Sequence, residues 1–202
     1  MEYHSVPVAK INDKLVLFVH VPKTGGSSVV SHLSSLGELS LYGQIGRPDL
    51  PCSPRHFHAK LLEGFFAEDF FDWTFMIVRH PVERLLSQYH YQTRKPNLLR
   101  NNLPFSLWLR YVFMRCRANP YYRNNHYRPQ HEFEMPHTHV FRLEDGLTEP
   151  LNCLARVAEL QEIKEPPWEN KSQLRQIEIS SSDREVIYKT YEEDYRRYGY
   201  EM

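Results

Sequence analysis

Cysteine is scarce: Cys52, Cys116 and Cys153 are the only three in 202 residues. An odd, scattered set makes no disulfide framework and lacks the close spacing of a zinc knuckle. Long apolar runs are also missing. The longest, residues 15–21, is interrupted by His20 and falls far short of the roughly 20 residues a membrane-spanning helix needs. The first residues hold no basic stretch followed by an apolar one, which is what a secretory signal requires. No lipidation motif stands at either end. Together these absences predict a cytoplasmic protein without a transmembrane segment, unless the chain is a piece that lacks its membrane anchor. Nor is there an excess of one charge: 25 Lys and Arg face 25 Asp and Glu, which argues against a nucleic-acid partner. There is no internal repeat and no low-complexity segment.

Hydrophobic residues make up 41% and charged residues 25%, the balance of a globular protein. The length predicts one domain over residues 1–202. The zero total hides an uneven layout. Residues 79–128 carry ten basic side chains and one acid, Glu83, whereas residues 129–202 carry nine basic and sixteen acidic ones. The basic block is either a solvated face or a surface for an anionic partner, and charge alone supports both.

Residues 14–21 are apolar, β-branched and aromatic, and Pro22 ends them, so they predict a buried strand. Gly25 and Gly26 follow as a loop. Ser27 and Ser28 can cap a helix over residues 29–36, and Gly37 stops it. Residues 38–58 read as irregular. A second buried strand at 73–78 runs into Pro81, a suitable first residue for a helix through Tyr89. A helix is predicted at 105–115, a third strand at 139–143 and a helix at 149–160. One last helix starts at Ser180–Ser182 and carries Ile187, Tyr191 and Tyr195. Strands alternating with helices predict an α/β, P-loop-like three-layer fold, a central parallel sheet with helices on both faces.

The most informative segment is His20-Val-Pro-Lys23-Thr24-Gly25-Gly26-Ser27-Ser28. Glycines at a strand-to-helix junction let backbone N–H groups face an anion, and the helix N-terminus adds partial positive charge. Lys23 adds a full charge; Thr24, Ser27 and Ser28 add hydroxyls. The order differs from the ATP-binding loop G-x-x-x-x-G-K-[ST], because this lysine precedes the glycines. Arg79, not an aspartate, ends the next strand, so protein cations rather than a metal would neutralise the phosphates.

Residues 18–28 resemble the 5′-phosphosulfate loop of the carbohydrate sulfotransferases that use 3′-phosphoadenosine 5′-phosphosulfate (PAPS). Residues 75–89, with Arg79-His-Pro-Val-Glu-Arg84-Leu-Leu-Ser87-Gln-Tyr89, resemble their 3′-phosphate-binding strand and helix. Weaker similarity runs through Gln130, Glu144 and residues 191–200. Ser27 stands where threonine is frequent, and His80 where an acid is common. The resemblance implies that Lys23 contacts the transferring sulfuryl group. Thr24, Gly25, Gly26, Ser27 and Ser28 would hold the 5′-phosphate, Arg79 and Ser87 the 3′-phosphate, and Lys171 with Ser172 would close over the nucleotide. It implies PAPS as donor, no metal, and a carbohydrate acceptor: an oligosaccharide, polysaccharide or glycolipid. Arg84 and Tyr89 read as a surface charge and a core aromatic.

Sulfuryl transfer needs a base for the acceptor hydroxyl, and histidine suits neutral pH. Arg55-His56-Phe57-His58 is the best candidate among 11 histidines. In an extended stretch His56 and His58 face one way; His58 is then the base and His56 its helper. His20 is second choice. Residues 110–128, rich in arginine and tyrosine, suit an acidic sugar or form an ordinary helix surface. An atypical P-loop kinase and a non-catalytic binder of nucleotides or glycans are the competing readings.

Overall fold

The computed structural model describes residues 5–42, 49–93, 103–161 and 177–202. Lys171 and Ser172 lie outside them. Five strands form one sheet: β1 (Ser5–Ile11), β2 (Lys14–Val19), β3 (Glu38–Tyr42), β4 (Trp73–Val78) and β5 (His139–Arg142). Their order is β3-β1-β2-β4-β5. β2, β4 and β5 are parallel neighbours. β1 runs antiparallel to both β2 and β3, so four strands point one way and β1 is inverted. The predicted parallel sheet is β2, β4 and β5; antiparallel β1 and the edge strand β3, neither of them predicted, make the whole sheet mixed. Residues 38–42, expected to be irregular, are strand β3.

The helices are α1 (Gly26–Leu36), α2 (Ala59–Leu62), α3 (Pro81–Thr93), α4 (Phe105–Ala118), α5 (Thr148–Val157), α6 (Ser181–Thr190) and α7 (Glu192–Tyr198). They cover both faces because the central strands are apolar on both sides. Val16 and Phe18 of β2, with Phe75 and Ile77 of β4, pack with Val29, Leu33, Leu151 and Leu154 of α1 and α5. Leu17, Val19, Met76 and Val78 pack with Leu85, Leu109 and Ile187 of α3, α4 and α6. The expected last helix is two: the chain breaks at buried Tyr191, whose N–H reaches the Ile187 and Tyr188 carbonyls. Ser180 caps α6 by accepting from the Asp183 N–H at 3.2 Å.

Candidate active site

The parallel strands β2 and β4 end side by side, so the segments that follow them share one edge of the sheet. Lys23 and Gly25 in the first segment have φ of 71° and 83°, the left-handed region. Gly25 serves as N-cap of α1 without any side-chain cap, so the predicted serine cap is not formed; the Ser28 N–H donates to the Gly25 carbonyl at 3.1 Å, and the helix turns its positive end to the loop. Gly26 is required by contact: a Cβ there would lie 2.0 Å from His20 Nε2. The buried Thr24 hydroxyl donates to the Val21 carbonyl at 2.9 Å and braces the loop from inside. Ser28 is buried; Ser27 is exposed.

Arg79 follows β4, and its guanidinium donates to the Lys23 carbonyl at 3.5 Å. The two cationic residues therefore sit on the same edge, back to back. Arg79 also lies 3.6 Å from Glu83, while the Lys23 ammonium sits 4.3 Å from the ring centre of Tyr91. Glu83, Ser87 and Tyr91 recur every fourth residue of α3, so they form one ridge that links the two cations, with half-buried Ser87 in its middle. Burial lowers the Arg79 pKa, and Glu83 and Glu144 counter it.

The Arg79 peptide is clamped. Its N–H donates to Gln130 Oε1 at 2.9 Å, and Gln130 Nε2 donates back to its carbonyl at 2.8 Å. Gln130 is held in turn by Asp194 of α7, which accepts from the Gln130 and His131 N–H groups at 2.8 and 2.9 Å. Arg84 is not a surface charge. It is buried, and it donates to the carbonyls of Pro22, Arg128 and His126 at 2.9, 2.8 and 3.3 Å, tying the loop to α3 and to the 126–128 segment. Tyr89 packs on Phe105 and Trp108 as expected of a core aromatic.

The two histidines of the H-x-H segment part company. Residues Pro54–His56 form a 3-10 turn and only Phe57 and His58, just before α2, are extended, so the run is too short to align the two rings. The His56 ring lies 5.0 Å from both His20 and His126. Its Nδ1 is 3.4 Å from the His20 carbonyl, which can only accept; the proton is on Nδ1, and Nε2 is the basic nitrogen. His20 Nδ1 accepts from Arg55 Nε at 3.2 Å. Burial first, then neighbouring charge from Arg55, Arg84 and Lys23, pulls the His56 pKa down to about 3. The His58 ring instead faces Tyr121 and Phe133, its Nδ1 is buried with no hydrogen-bond partner among the described residues, and burial and Arg128 take its pKa to about 4. Lys23 is among the charges acting on His20, His56 and His126.

The His56 carbonyl accepts from Asn125 Nδ2 at 2.8 Å, and Asn124 Oδ1 accepts from the Ser53 N–H at 2.5 Å. Arg123, Asn124 and Asn125 all have left-handed φ, so this strained turn fixes the histidine segment. Along 110–128, Arg115 and Arg123 lie over Tyr122 and Arg128 over Tyr121, while Trp108, Leu109 and Val112 of α4 point into the core. Among the described residues no group of three or more His, Cys, Asp or Glu is placed to hold a metal, and no helix is long and apolar enough to cross a membrane.

A model of the sulfotransferase family matches residues 10–201, nearly the whole chain. The chain belongs to the sulfotransferase family. No curated protein and no solved structure matches it significantly. Sulfotransferases move a sulfuryl group from a donor to an acceptor. The loop and Arg79 bring positive charge and backbone N–H groups to one edge of the sheet. Sequence reasoning missed Asn125 altogether and took Arg84 for a surface charge. Gln130, Glu144 and Asp194 lay inside the weakly similar segments, with no role legible from them. Glu144 accepts from the His80 N–H at 2.7 Å beside Arg79.

Proposed function

We propose that this sulfotransferase uses PAPS and delivers its sulfuryl group to a hydroxyl of a carbohydrate: an oligosaccharide, polysaccharide or glycolipid. The observation that carries the reading is the junction of Lys23 and Arg79, with the Glu83–Ser87–Tyr91 ridge between their side chains. A donor with phosphates at two separated positions needs two cationic grips on one edge, and ATP has no use for the second. The residues fit such a donor. The N–H groups of Gly25, Gly26 and Ser27 and the Ser27 hydroxyl would take the 5′-phosphate; Arg79 and Ser87 would take the 3′-phosphate. The Thr24 hydroxyl acts by bracing the loop.

In the transfer, the acceptor oxygen attacks sulfur while the bond from sulfur to the bridging oxygen breaks. The acceptor proton passes to a histidine of the 56/58 pair, and Lys23 meets the charge that grows on the leaving phosphate. His56 is the better placed member, because its basic Nε2 shares the field of Lys23. Its low pKa keeps it neutral at pH 7, and a bound polyanion raises that pKa toward a useful range.

The test is thermal stabilisation by 3′-phosphoadenosine 5′-phosphate against ATP, followed by mass spectrometry of glycans incubated with PAPS. The bisphosphate should raise Tm well above the ATP value without magnesium. Lys23→Ala and Arg79→Ala should abolish product with circular dichroism unchanged. Equal stabilisation by both nucleotides overturns the donor assignment. His56→Ala should lower kcat by about 10² to 10⁴ and His58→Ala by less; the reverse order moves the base to His58.

A further inference from the structure

The outer side of α4 carries an apolar ridge that no described residue covers. Leu107, Tyr111 and Met114 are 55%, 36% and 57% exposed, and their spacing of four and three puts them on one stripe. The remaining exposed positions of the helix are Arg110, Arg115, Arg117 and Ala118, and the helix holds no acidic residue. At about 100° per residue, Arg110 and Arg117 flank the ridge on one side and Arg115 on the other. Arg110 reaches Asp183 at 3.3 Å yet stays half-exposed, and Arg115 lies over Tyr122. The arrangement is an apolar strip between two rails of guanidinium groups.

We propose that this face seats the protein on an anionic lipid surface. Leucine, methionine and the tyrosine ring enter the boundary between headgroups and acyl chains, and the arginine stems lie along the strip while their heads meet lipid phosphates. A second copy of the chain fits the face poorly. Pairing α4 with α4 would set arginine against arginine with no acid on either helix. The strip is short, so the seat is reversible, and each arginine contributes about fivefold in affinity at low salt. The helix lies on the membrane and does not cross it.

The experiment is sedimentation of the full chain with phosphatidylcholine vesicles, pure or carrying about 30% phosphatidylglycerol. Binding should appear only with the anionic vesicles and fade as salt rises. Arg115→Glu with Arg117→Glu should weaken it by at least about 25-fold, and Leu107→Ser with Met114→Ser by about tenfold. All four positions are exposed, so the variants keep their circular dichroism and melting profile. No binding to anionic vesicles, or binding that both double variants leave intact, overturns the proposal. So does a concentration-dependent dimer in solution that Leu107→Ser with Met114→Ser dissolves, for the face then belongs to a second copy. Vesicle binding reads nothing of donor or acceptor, so it stands or falls apart from the proposed reaction.

Discussion

At the scale of single residues, the site depends on side chains that never touch the donor. Arg84 is the clearest. Its charge is fully removed from water, and three main-chain carbonyls from two segments replace the lost hydration. One of those carbonyls belongs to Pro22, next to Lys23. Arg84→Met should therefore orphan three acceptors at once and cost about 3 kcal/mol in urea unfolding. Arg84→Lys, with one compact head for three carbonyls, should recover less than half of that. A loss below about 0.5 kcal/mol for Arg84→Met would show that water replaces the guanidinium at no cost, and that Arg84 does not shape the loop. Gly26 makes a second case. Its missing side chain is filled by the His20 ring, so Gly26→Ala must displace that ring and, through Arg55, the histidine segment. It should lower nucleotide affinity, measured by calorimetry, more than stability.

At the scale of elements, β2 and β4 were legible because their apolar runs are continuous and flanked by turn residues, and β5 because Val140 and Phe141 stand at its centre. β1 was not, since Pro7 breaks the pattern; the ladder to β3 shifts register between Ser5 and Val8, where a residue without an N–H is tolerated. β3 was hidden by the glycines and prolines that follow it. The glycine turn between β2 and α1, and Arg79 at the end of β4, were legible from residue type and position. The orientation of His56 and His58 was not, because His56 closes a 3-10 turn and only Phe57 and His58 are extended, too short a run for alternation to hold. That turn gathers His20, His56 and His126 in a buried group, with His58 nearby in its own pocket, and all four have pKa values lowered first by burial. Unfolded, these histidines take up protons near pH 6.5; folded, His56 and His58 resist until about 3 and 4. The unfolded chain thus binds more protons in between, and stability falls as pH drops below about 6.5, by up to about 1.4 kcal/mol per pH unit for each histidine. His131, raised by its bond to Asp194, works the other way and gives stability that is lost as pH rises through its folded pKa. The four outweigh the one. Urea midpoints should fall steadily from pH 7 to pH 5, and His58→Phe should flatten the slope. A midpoint unchanged over that span would mean that the histidines open to water before they charge.

At the scale of the whole molecule, net neutrality conceals a division of labour. Residues 79–128 hold ten cations against one acid, and the structure sends them to different tasks. Arg84 is internal scaffolding, Arg79 stands at the sheet edge with Lys23, and Arg110, Arg115 and Arg117 line the outside of α4. With the whole chain neutral, the proposed donor would be held by local charge, that of Lys23 and Arg79 first. That has a measurable consequence. Raising KCl from about 0.05 M to about 0.5 M should weaken 3′-phosphoadenosine 5′-phosphate binding about tenfold, because Lys23 and Arg79 are partly open to solvent and screened. If protein cations do the work a divalent ion does in ATP-binding loops, as proposed, the chelator EDTA should leave the dissociation constant unchanged. Arg79→Ala should both weaken binding and flatten the salt dependence, as one of the two screened charges is gone. A steep salt dependence that survives Arg79→Ala and Lys23→Ala alike would place the nucleotide elsewhere on the basic block, and recovery of binding by magnesium would return the chain to the kinase reading.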